Sequence, residues 1–105
     1  MAGQTEAERD DQIELYVHAF SREAFEVAKR FVEGEEAAAL VLQAAELRAR
    51  LPDVAARARE ASEAYRADLN NTLSEAKLDL DYVLGGGDRP SSLRLAHLIA
   101  EDDST

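Results

Sequence analysis

PDVAARAREASEAYRADLNNTLSEAKLDLDYVLGGG, residues 52–87, is the stretch on which the fold turns. A proline opens it, three glycines close it, and no helix breaker of either kind lies between. Alanines recur at Ala55, Ala58, Ala61, Ala64 and Ala67, and a Leu/Ala stripe (Leu69, Leu73, Ala76, Leu80, Val83) follows in steps of three and four. That period is helical. Read as one helix over 53–84, the stretch is roughly 47 Å long. A compact chain of this size has a radius of gyration near ~13 Å, so such a helix overhangs its own domain. The expectation is continuity through Asn70-Asn71, because the stripe keeps its spacing there. A break at the Asn pair is the competing reading, and it gives an ordinary compact bundle. Arg57 and Arg59 early and Asp79 and Asp81 late run against the helix dipole in this reading.

Working outward, Thr5-Glu6-Ala7-Glu8 has the pattern of a capping box, and a first helix is expected from there to about Glu33, with Gly34 as its stop. Its expected stripe is Ile13, Tyr16, Phe20, Ala24, Val27 and Phe31. A second helix is expected from Glu35 to Leu51, with Leu40, Ala44, Leu47 and Leu51 as its stripe. Pro52 marks its end, because proline disfavours helical geometry in the residue before it and suits the first turn of a new helix. A short fourth helix is expected over Ser92–Glu101, capped by Asp88 or Ser91. Residues 1–4 are expected to be disordered, 5–101 to form one domain, and 102–105 to fray. The fold class expected is all-α: an antiparallel, coiled-coil-like bundle of three long helices plus a short C-terminal one. The aromatics of the first helix would pack on the alanine faces of the second and third. The second helix is too short to cover its neighbours' stripes, so a second copy is expected to do so, making a homodimer.

Composition narrows the function classes. The net charge is −10, with eleven acids and six bases on each side of Pro52, so the excess is spread along the chain. Nucleic-acid and anionic-membrane binding need clustered Lys and Arg, and neither partner is expected. There is no cysteine, which excludes thiolate metal sites and Cys nucleophiles. The start is polar and acidic, unlike a signal peptide, and no apolar run approaches the ~18 residues of a membrane span. A cytoplasmic protein is the simplest expectation.

Few residues carry chemistry. His18 lies one turn after Glu14, and His97 one turn before Glu101, so each pair offers two ligands from one helix face. Neither repeats the Glu-x-x-His pattern of a di-iron bundle. Asp68, Glu75 and Asp79 share a face, with Asp81 and Asp88 nearby, which reads as a solvated row, a docking strip for a basic partner, or a catalytic or divalent-metal site. Ser62, Thr72 and Ser74 read as mid-helix hydroxyls bonded to the preceding turn. Gly85-Gly86-Gly87-Asp88 lacks the Lys-Ser/Thr ending and the leading strand of a phosphate loop. LGGGDRPSSLRLAHLIAE, residues 84–101, resembles the segment around the phosphopantetheine serine of carrier domains over fewer than twenty residues. It departs from that pattern by extra residues before Ser91-Ser92 and by too little chain after them, so nothing is carried over.

No nucleophile and base can be paired, so the expected role is non-enzymatic, with no cofactor. The chain is expected to bind another protein, as an adaptor, chaperone or regulatory accessory factor. Its expected contacts are Tyr82, Leu84, Leu95 and Ile99, with Asp79 and Asp81 on the rim. A small metal- or ligand-binding bundle using Glu14, His18, His97 and Glu101 is one alternative. An acidic mimic of nucleic acid is the other.

Overall fold

The computed structural model describes residues 5–103 and is all-helical there. Four helices pack together: α1 (Glu6–Val32), α2 (Ala37–Ala58), α3 (Glu63–Leu84) and α4 (Leu93–Asp103). The expected disorder of residues 1–4 and fraying of 104–105 fall outside the described residues, while 102 and 103 continue α4.

The structure corrects the central expectation. Pro52 lies inside α2, not at the start of a new helix, and the break comes at residues 59–62. The physical reason is register. Leu40, Ala44, Leu47, Leu51, Val54 and Ala58 step by four and three straight through the proline, and all six are buried. An interior proline costs ~3 kcal/mol, whereas burying a Leu or Val side chain returns about 1.5–3 kcal/mol each. Stopping at Leu51 would strand Val54 and Ala58. Past Ala58 the chain tightens, with Glu60 N–H donating to the Arg57 carbonyl (3.1 Å) and Ala61 N–H to Ala58 (3.2 Å). Ser62 is then extended (φ −65°, ψ 159°) and opens α3.

Other expectations stand. α3 runs unbroken through Asn70-Asn71, and Leu69, Leu73, Ala76, Leu80 and Val83 are its buried stripe. Thr5 caps α1, its hydroxyl accepting from Glu8 N–H at 3.1 Å. The α1 stripe is Ile13, Val17, Phe20, Ala24, Val27 and Ala28, whereas Tyr16 stands at the surface and Phe31 is half-buried. α4 lies against α1 and α3 and contributes Leu95 to the core, with Leu98 and Ile99 packed beside it.

The three long helices have 27, 22 and 22 residues. At the helical rise they measure ~40, ~33 and ~33 Å, close enough to cover one another. The molecule is itself elongated, 55 × 26 × 17 Å, with a radius of gyration of 15.3 Å. The break at 59–62 removes the ~47 Å helix whose overhang called for a second copy.

Candidate functional site

Two buried aspartates organise the turns between helices, and both take a serine at the start of the next helix. At the α2–α3 turn, Asp10 of α1 accepts from the Ser62 backbone N–H (3.0 Å) and from its hydroxyl (2.7 Å). Those two hydrogen bonds, the hydroxyl's first, hold the Asp10 carboxyl below its ordinary range. Ser62 is thus not a mid-helix hydroxyl. Thr72 is one, donating to the Asp68 carbonyl at 3.0 Å.

At the α3–α4 turn the same device recurs in a drier place. Asp79 is 0% exposed. Its Oδ1 accepts from the Ser92 hydroxyl, and its Oδ2 accepts from Arg94 Nε (2.9 Å) and pairs with Arg94 Nη2 (2.6 Å). Ser92 Oγ in turn accepts from Leu95 N–H (3.2 Å), so Ser92 caps α4 in place of Asp88 or Ser91. Arg94 also donates to the Ser21 carbonyl (3.2 Å) and lies 5.1 Å over the Phe25 ring. One carboxylate thereby ties α3, α4 and α1 together. Burial raises the Asp79 pKa, and the Ser92 and Arg94 contacts work against that rise.

These contacts settle where the expected docking residues lie. Asp79 and Leu95 are wholly buried and offer a partner nothing, so both leave the contact surface. Asp81 pairs with Arg48 at 3.3 Å. Tyr82 meets the edge of Phe31 with ring centres 5.9 Å apart. Ile99 is half-buried against the core, and Leu84 stands at the surface near the glycine turn. In that turn Gly86 (φ 69°) and Gly87 (φ 85°) take the left-handed conformation that ends α3.

The structure shows a different open surface. A groove of about 530 Å³ runs between α1 and α2. Ala19 is its exposed apolar residue, and Val27 and Leu47, both nearly buried, form its floor. The flanks carry both signs, Arg22, Arg30 and Arg50 against Glu23, Glu26 and Glu46, with Arg50 and Glu23 paired at 3.4 Å. Leu15 and Leu42, 71% and 67% exposed, belong to the same helix stripes as the lining. Leu15 is one turn before Ala19, and Leu42 one turn before Glu46. Neither leucine was singled out by the sequence reading. The available signal was their position off the core stripes: Leu15 is out of step with Ile13 and Val17, and Leu42 with Leu40 and Ala44.

The candidate ligand set is also rearranged. Glu14 and His18 converge with Asp68 of α3, their ligand atoms all within 4.8 Å of one another. His97 and Glu101, on α4, are not part of that group. In the sequence Asp68 belongs to an acidic row, and only the packing of α3 on α1 brings it to the pair. No helix among the described residues is long and apolar enough to cross a membrane. No protein-family model, curated protein or solved structure matches the chain.

Proposed function

We propose that this chain is a non-enzymatic binding protein that takes a helix of another protein into its α1–α2 groove. The observation that carries the reading is the groove itself, with a narrow apolar floor between charged flanks and an exposed leucine on each of its two helices. An amphipathic helix lays its apolar face into such a groove, and its charged residues meet the flanks. The mixed signs along the flanks fix register, and the net charge of −10 speeds encounter with a basic partner. Self-association is not needed to cover the core. The unit proposed is a single chain with its groove open.

The test uses a photo-cross-linking residue placed at Leu15, Leu42 or Leu93. Leu93 is as exposed as the other two (73%) but lies on α4. Positions 15 and 42 should capture the same protein, and position 93 should not. The double substitution Leu15→Glu/Leu42→Glu should weaken binding of that protein roughly a hundredfold, the equivalent of denying two leucines their burial. Leu93→Glu should leave it unchanged. Capture from position 93 alone, or binding indifferent to the double substitution, contradicts the assignment.

A further inference from the structure

The α1–α3 seam, separate from the groove, brings together three ligand side chains that, among the described residues, make no hydrogen bond or ion pair. We propose that Glu14, His18 and Asp68 form a site for a divalent transition-metal ion of the Zn²⁺ class. Glu14 and His18 stand one turn apart on α1, and Asp68 faces them from α3, next to the buried Leu69 that seats this part of the seam. Their ligand atoms lie within 4.8 Å of one another. Around a tetrahedral zinc with bonds of about 2.0–2.1 Å, neighbouring ligand atoms sit about 3.4 Å apart. Closing the difference takes small rotations of side chains that are exposed or half-buried and free to turn.

Two further observations point to a cation. Among the described residues, no hydrogen bond or ion pair engages the side chains of Glu14, His18 or Asp68, and the one bond to Asp68 is to its backbone carbonyl. Two carboxylates therefore converge without a basic partner. Further acids stand close by: Asp11 first, then burial, Glu14 and Asp10 raise the pKa of the Tyr65 phenol, one turn before Asp68 on α3. One imidazole with two carboxylates suits zinc and its first-row neighbours, whereas Mg²⁺ and Ca²⁺ prefer all-oxygen sites. Three protein ligands leave the fourth position to water, the arrangement of an open zinc site. The ligands come from two helices, so the ion clips α1 to α3.

The experiment is calorimetric titration of ZnCl₂ into protein purified without a histidine tag, paired with thermal melts. One ion per chain is expected. At a hundred times the dissociation constant, the melting temperature should rise on the order of 10 °C. His18→Ala and Asp68→Asn should each weaken binding at least tenfold while leaving the metal-free melt unchanged, since both side chains are exposed. His97→Ala should bind zinc like the parent, and MgCl₂ should not compete. No zinc binding at millimolar concentration, binding that survives both seam substitutions, loss of binding on His97→Ala, or equal binding of magnesium would each overturn the proposal.

Discussion

Arg94→Leu is expected to lower folding stability by about 3 kcal/mol, toward the low end of what breaking a buried ion pair costs when one partner is removed. The carboxylate it abandons has no exposed surface, and the Ser92 hydroxyl alone would remain to hold it. Arg94 itself is one-third exposed, so the damage lies on the Asp79 side. Burial already raises the Asp79 pKa above its ordinary 3.8, and losing the guanidinium raises it further. The sign follows from linkage. A carboxyl that binds its proton more tightly when folded destabilises the fold as pH rises from 3.8 through the folded pKa, and the penalty is then constant above it. The Arg94→Leu defect should therefore be full at neutral pH and shrink as the medium is acidified. Adding Asp79→Asn removes the stranded charge, so the double variant should recover much of the loss. Urea unfolding of the parent, the single and the double variant reads all three. A double variant no more stable than Arg94→Leu contradicts the assignment of Asp79 as the strained partner.

Phe20→Ala is expected to cost about 3–5 kcal/mol, the range for emptying a buried aromatic site. Phe20 is the largest side chain that is fully buried, at the centre of the α1 stripe. Domains of this kind have ~5–15 kcal/mol in total, so the variant should sit close to unfolding. Arg50 stacks over the Phe20 ring at 5.5 Å while pairing with Glu23 on the groove flank. The variant should loosen that flank too. Tyr16→Ala is the contrast. Tyr16 shares the expected sequence stripe with Phe20 but is 40% exposed, and its loss should stay below about 1 kcal/mol. Equal effects at the two positions would restore the stripe that the structure corrects.

The sequence made the helices legible and misplaced one boundary. Periodicity found α1, the stripe of α3 and its passage through Asn70-Asn71, because apolar spacing survives indifferent helix formers. At Pro52 local backbone preference points to a boundary, and the register of the buried stripe outranks it. The clue was already there, in charges that ran against the dipole. With the break at 59–62, Arg57 falls in the last turn of α2 and Glu63 in the first turn of α3, both favourable. Asp79 and Asp81 remain at the unfavourable end of α3, and Arg94 and Arg48 offset them. Those partners are 15 and 33 residues away, a pairing that no local pattern displays. The same limit hid Asp68 from Glu14 and His18, and the α1–α2 groove from the local pattern of either helix. Helix faces are written in the sequence, whereas which faces meet depends on where each turn falls, as the one at 59–62 shows for α2 and α3.

In the proposed function, one chain covers its own core and leaves the α1–α2 groove open. Sedimentation equilibrium at micromolar concentration tests it most directly. A single species of 11.5 kDa is expected. A species of twice that mass, about 23 kDa, would contradict it, whether the second copy covers a longer helix or fills the groove.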